Sequence, residues 1–275
     1  MFPILIQLGP ITIYSYGFFL TLSYIIATFV LWREGKRQGY KEEKLLDLSL
    51  ISLFAALIGG SLYFALLNPD IYRDNLVSAI FFWDGNLSFY GGLFGVLVAI
   101  FALTKWWKWP FFQIADIISL AGILALFIGS LGAFFAGVNI GTLTNAPWSV
   151  EIPNIGGARH PVQLYEAGFA IILFFVMKRF YEINLKSSKF RSGRVFLLSL
   201  FFISVSKFFF EFFRAESTFV LGVKSTQIVS LLVAIISFTA IYYFQLRDLR
   251  EDIRWVLKSF LSVNNRVLRR LKFWR

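Results

Sequence analysis

Seven apolar stretches divide the chain, near residues 14–32, 46–67, 88–104, 112–135, 164–181, 194–213 and 225–244, and most of its charge lies between or beside them. About 20 apolar residues is the length an α-helix needs to cross the hydrocarbon of a bilayer. Each stretch is bounded by charges, by Pro, or by Trp and Tyr, as at a membrane interface. The third is short and rich in glycine, so six or eight spans would also accommodate the pattern. Composition removes the soluble alternative. The 275 residues are 57% hydrophobic and only 16% charged, with 34 Phe, whereas a soluble domain carries about 25% charged residues. The expected fold class is therefore all-α: a polytopic integral membrane protein with about seven transmembrane helices over 1–246, followed by a basic cytoplasmic tail over 247–275.

Lys and Arg partition along this pattern. Five follow the first stretch, two follow the third, six lie between Lys178 and Arg194, and nine lie between Arg247 and Arg275. Those segments all fall on one side, which the positive-inside rule makes cytoplasmic, with the N-terminus outside. Five of the 27 remain: Arg73, Arg159, Lys207, Arg214 and Lys224. The net charge of +11 is thus mainly a topology signal, and nucleic-acid binding is not expected, because no basic and aromatic reading surface stands apart from these loops. In the tail, Ile253, Val256, Leu257, Phe260 and Leu261 recur at helical spacing among basic residues. It either lies on the anionic inner leaflet or is a solvated basic terminus. No cationic segment precedes the first apolar run, so no cleavable signal peptide is expected. The absence of Cys excludes disulfides, zinc–thiolate sites and a thiol nucleophile supplied by the protein. No internal repeat, P-loop or dinucleotide fingerprint occurs.

The chemistry-bearing residues fall to the outward half. Ionisable groups in or beside spans are costly and face a polar interior or a partner. Asp116, Glu166, Lys207, Glu211 and Arg214 are of this kind. Glu211 and Arg214, three apart, share a helix face. They form either a structural ion pair or a site where the planar arginine fork meets a phosphate. The single histidine lies in Arg159-His-Pro-Val-Gln-Leu-Tyr-Glu166. It either caps a helix beginning near Pro161 or belongs with its polar neighbours to a ligand site. Two glycine-rich stretches, Trp83 to Gly92 and Gly129 to Gly141, serve either close helix packing or broken helix ends whose N–H groups face an anionic headgroup.

In order along the chain, Leu8-Gly-Pro, Tyr14-Ser-Tyr-Gly17, Trp83-Asp-Gly85, Asp116, the Gly129–Gly141 segment with Asn145-Ala-Pro-Trp148, Arg159 to Glu166, Glu211-Phe-Phe-Arg214 and Gln227 resemble the prolipoprotein diacylglyceryl transferase family. The resemblance implies a bacterial cytoplasmic-membrane enzyme. Such an enzyme moves the diacylglyceryl group of phosphatidylglycerol to the lipobox cysteine thiol of a prolipoprotein signal peptide, forming a thioether and releasing glycerol phosphate, with no metal or other cofactor. It also implies roles. Arg214 would act on the phosphate or thiol, oriented by Glu211. Tyr16, Gly129, Gly132, Asn139, Gly141, Asp116, Arg159, Gln163, Tyr165 and Glu166 would belong to the phosphatidylglycerol site, and His160 to the catalytic group.

Two positions depart from the family pattern. Tyr90 stands where the family carries a proposed base histidine, and a phenol ordinarily ionises near pH 10. Ser130 stands where the family carries its main arginine contact to the lipid, a loss of about 1.5–3 kcal/mol for a charge-assisted bond. Asn139 could add a neutral donor, and Arg159 is expected to face the Arg214 cavity in compensation. Because of these departures, a paralogue that binds phospholipid or lipoprotein precursor without transfer is the alternative to the enzyme. A small transporter is a further class, but the sequence shows no repeat.

Overall fold

A computed structural model describes residues 2–8, 11–72, 87–152, 155–187, 191–215, 219–220 and 223–245. Among them are seven helices: α1 (Ser15–Arg37), α2 (Glu42–Leu67), α3 (Phe89–Trp106), α4 (Phe111–Ala136), α5 (Val162–Lys186), α6 (Arg194–Phe210) and α7 (Ser225–Gln245). They coincide with the seven apolar stretches, extended by a few residues at the charged ends. α1, α2, α4, α7 and α6 with its following turn are long and apolar enough to cross a membrane. α3 has 18 residues, about 27 Å of helix, near the hydrocarbon thickness. α5 is 25 residues long but carries Glu166, Lys178, Arg179 and Glu182. The basic tail and Trp83–Gly85 lie outside the described residues.

Three two-stranded antiparallel hairpins accompany the helices. β1 (Ile4–Leu8) pairs with β2 (Ile11–Tyr14), β3 (Val150–Ile152) with β4 (Ile155–Arg159), and β5 (Phe219–Val220) with β6 (Val223–Lys224). The all-α class therefore describes the architecture, with these hairpins added.

Two compact units are distinguished, residues 21–125 and residues 1–20 with 126–275. In the first, α2 and α3 pack through small residues. A Cβ on Gly95 would come within 2.1 Å of the Ala55 carbonyl oxygen, and one on Gly91 within 2.3 Å of the Gly59 oxygen. In lipid, helices gain nothing by hiding apolar surface from one another, so close backbone approach supplies the attraction. Packing is thus the reading that the structure gives to Gly91 and Gly92, since a Cβ on Gly92 would lie 3.2 Å from the Ala56 oxygen. Gly95→Val is expected to destabilise this pair by about 1–3 kcal/mol, seen as a lower Tm in detergent. Gly122→Ala, with open space around its Cβ, should be neutral or stabilising. Equal Tm values for the two variants would contradict this packing.

α1 and α2 are joined by polar contacts. The Thr28 and Ser49 hydroxyls are 2.6 Å apart, and Ser49 Oγ donates to the Tyr24 hydroxyl at 3.2 Å. At the basic end, Tyr40 stacks on Trp109 with ring centroids 4.6 Å apart, and Trp109 on Trp107 at 5.0 Å. Burial pushes the Tyr40 phenol up to about 12, so it stays neutral in this aromatic rim.

In the second unit α5 packs on α6, and α6 on α7. α5 buries Gln163, Glu166, Ala170, Leu173, Met177 and Tyr181, a stripe at helical spacing. Its opposite face leaves Ile172 65% and Phe175 64% exposed, and α7 leaves Ile236 66% exposed. Side chains of this kind have acyl chains as their natural solvent.

Candidate active site

The site is built by backbone pairing at one end of the second unit. α4 stops at Ala136 because Gly137 takes φ +73°. Its N–H donates to the Phe134 oxygen, and the Val138 N–H donates to the Ala133 oxygen, a glycine-capped helix end. Asn139, at φ +58°, then turns the chain into an extended run. On one flank His160 N–H donates to the Thr142 oxygen at 3.0 Å, and Thr144 N–H to the Ala158 oxygen at 2.9 Å. On the other, Thr142 N–H donates to the Phe213 oxygen at 2.8 Å, and Ala215 N–H to the Ile140 oxygen at 2.9 Å. Gly141 sits at the crowded centre, where a Cβ would lie 2.1 Å from the His160 oxygen. Segments distant in sequence are thereby laced together, with Arg159 and His160 on one flank of this run and Arg214 on the other.

Charge gathers on this scaffold. The buried Glu166 carboxylate accepts from Lys207 Nζ at 2.9 Å and from an Arg214 guanidinium nitrogen at 3.2 Å. It therefore ties α5 to α6 and to the turn beyond α6. Glu211, in a 3-10 turn over Glu211–Phe213, lies 3.6 Å from the second terminal nitrogen of Arg214. Lys224 on β6 donates to the carbonyl oxygens of Glu211 and Arg214, both at 2.7 Å, so its charge closes the carbonyl end of that turn. Arg159 donates to the Gly141 oxygen at 3.1 Å, and Gly141 in turn bridges to the Arg214 backbone. Among the described residues, Lys207 and Arg214 thus share the carboxylates of Glu166 and Glu211, while Lys224 and Arg159 meet carbonyl oxygens, so cations outnumber carboxylates here. Cations taken from water are stabilised only by paired charge, so a surplus at this depth fits an anionic ligand.

His160 makes no cap. The residue before α5 is Pro161, and no side chain caps that helix. His160 Nδ1 instead lies 3.1 Å from the Tyr165 hydroxyl, which accepts from Trp148 Nε1 at 2.7 Å. The imidazole packs edge-on against Phe213 with centroids 5.0 Å apart. Gln163, 2% exposed, donates from Nε2 to the Val138 oxygen.

The other sequence-selected positions distribute as follows. Tyr16 is the second residue of α1. Ser130 is buried in α4, two turns before the helix ends. Gly132 lies against Phe19, 2.4 Å from its Cβ to a built Cβ, whereas Gly129 has open space. The Gly129–Gly141 stretch is a helix C-terminus, which presents carbonyls, so the reading of N–H groups aimed at an anion does not hold there. Asp116, 1% exposed, stands in the second turn of α4, at the end that follows Lys105 and Lys108, and Ser130 lies towards the opposite end of the same helix. Tyr90 falls in the first turn of α3, and its side chain is outside the described residues.

Lys207 and Lys224 enter the site without having been selected as site residues. The signal was in the charge partition: of the five cations left over from the basic segments, Lys207, Arg214 and Lys224 meet around Glu166 and Glu211, Arg159 joins the adjoining backbone at Gly141, and Arg73 is outside the described residues.

Comparison with known proteins decides what this cluster belongs to. The sequence model of the prolipoprotein diacylglyceryl transferase family matches residues 3–243. The chain belongs to that family. It is similar to the phosphatidylglycerol–prolipoprotein diacylglyceryl transferase of Bordetella parapertussis, 32% identical over 228 residues, which covers 79% of this chain and 84% of the relative. The corresponding protein of Clostridioides difficile is 30% identical over 222 residues, covering 81% and 87%. That of Pediococcus pentosaceus is 28% identical over 261 residues, covering 90% and 92%. The chain is accordingly a transferase of lipoprotein maturation.

Proposed function

We propose that this diacylglyceryl transferase takes its group from phosphatidylglycerol and delivers it to the lipobox cysteine of a prolipoprotein signal peptide. It would do so at the outer face of a bacterial cytoplasmic membrane, with seven spans, the N-terminus outside and the C-terminus in the cytoplasm. The observation that carries the reading is the excess of cations over carboxylates among the described residues around Arg214. A sulfur–carbon bond forms to the terminal glyceryl carbon as the carbon–oxygen bond to phosphate breaks. The thiol proton ends on the departing glycerol phosphate, so charge balances.

Arg214 donates to phosphate oxygens that gain charge as the bond breaks, where preorganised donors are worth most. Glu166 and Glu211 fix its guanidinium, and Lys224 fixes the turn that presents it. Arg159 supplies the second fork that Ser130 lacks. Tyr16 and the Gly129–Gly141 segment border the lipid. His160 is the group for relaying the thiol proton.

The test uses purified protein in phosphatidylglycerol vesicles with a lipobox peptide and its Cys→Ser counterpart. One diacylglyceryl thioether per glycerol phosphate released, from the Cys peptide alone, is the expected result. No thioether, or equal product from the Ser peptide, would overturn the reading.

A further inference from the structure

Three polar atoms at the site are buried and lack a hydrogen-bond partner among the described residues: Arg159 Nε, Arg214 Nε and Gln163 Oε1. The two Nε–H groups are donors on cations and suit the phosphate. Gln163 Oε1 is an acceptor, and a phosphate oxygen beside it would be repelled. The amide cannot turn to hide the mismatch. Its Nε2 already donates to the Val138 carbonyl, and a flipped amide would set oxygen against oxygen. Gln163 is also held close to the cations. It lies one turn before Glu166 on the same face of α5, and Val138 begins the run whose Gly141 accepts from Arg159 and bridges to Arg214.

We propose that Gln163 Oε1 accepts a hydrogen bond from a hydroxyl of the donor lipid's headgroup, and that it thereby selects a polyol headgroup on an anionic phosphate. An ammonium headgroup could also donate to this oxygen, but the positive surplus around Arg214 opposes it. A headgroup without donors would leave the acceptor buried and unpaired, which a polar site rejects strongly. The inference rests on the proposed transfer reaction and adds the group that discriminates among donors.

The test is the ratio of kcat/KM for phosphatidylglycerol to that for phosphatidylpropanol, which has the same charge but no headgroup hydroxyl, measured in vesicles with the lipobox peptide. The full-length protein is expected to prefer phosphatidylglycerol by about tenfold or more, and Gln163→Met to bring the ratio towards one. A general structural defect would lower both rates and keep the ratio. A ratio near one in the unmodified protein, or a ratio unchanged in Gln163→Met, would overturn the proposal. A second measurement needs no variant: free glycerol phosphate should inhibit transfer about tenfold more tightly than propyl phosphate, and equal inhibition would count against Gln163. Absence of transfer from both lipids would instead overturn the reaction on which the proposal rests.

Discussion

Arg214→Ala is expected to lower kcat/KM for transfer about a thousandfold or more, with Arg214→Lys recovering only part of it. A single preorganised donor aimed at developing charge is worth about a hundred- to a thousandfold. Arg214 supplies several donors, and a lysine would restore the charge without the fork. The fold should tolerate the change. The backbone at this position is held independently of its side chain, through the Arg214 N–H to the Glu211 oxygen and the Lys224 ammonium to the Arg214 oxygen. Lys207 also remains on Glu166. Measured by thioether formation, an alanine variant within tenfold of the unmodified protein would remove Arg214 from the mechanism.

Loss of Glu166 should act first on stability. Its carboxylate is shared by Lys207 and Arg214 in a setting where the side chain is 9% exposed. Glu166→Leu strands both cations, and breaking a buried pair from one side costs about 3–5 kcal/mol. Adding Lys207→Met removes one stranded charge and is expected to recover more than half of the lost stability, since apolar replacement of a whole buried pair is often neutral. Activity should stay low in the double variant, because Arg214 keeps only Glu211 to orient it. Tm in detergent and transfer rate, measured together, separate the two effects. A single variant as stable as the unmodified protein would show that Glu166 is not the keystone of the cluster.

The helices were legible because a bilayer demands long apolar runs and the chain ends each with charge, Pro or aromatic residues. The hairpins were not. β1 and β2 lie ahead of the first apolar stretch, where the sequence offered no reading, and β4, Ile-Gly-Gly-Ala-Arg, contains two glycines, which strands disfavour. Glu211 with Arg214 was legible because three residues of helix bring them together. Lys207 with Glu166 was not, because the partners lie 41 positions apart and nothing local joins them. Lys224 looked like a flanking charge until β6 placed it on two carbonyls. The position of Gly141 under His160 has no sequence signature beyond glycine itself, since pairing across three segments is a tertiary fact. That Asp116 lies near the start of α4, away from Ser130, could have been read from the chain, since it follows the Lys105–Lys108 segment closely.

The central claim is that the cations gathered around Arg214 suffice for transfer with Ser130 and Tyr90 at the positions where the resemblance leads one to expect an arginine and a histidine. The most direct measurement is thioether yield from the unmodified protein beside the Ser130→Arg/Tyr90→His double variant, in the same phosphatidylglycerol vesicles with the same lipobox peptide. The account predicts product from the unmodified protein, with the double variant changing its rate by no more than about a hundredfold, the upper size of one charge-assisted contact. Product from the double variant alone would contradict it, and would mean that the scaffold is intact but the native cluster binds without transferring.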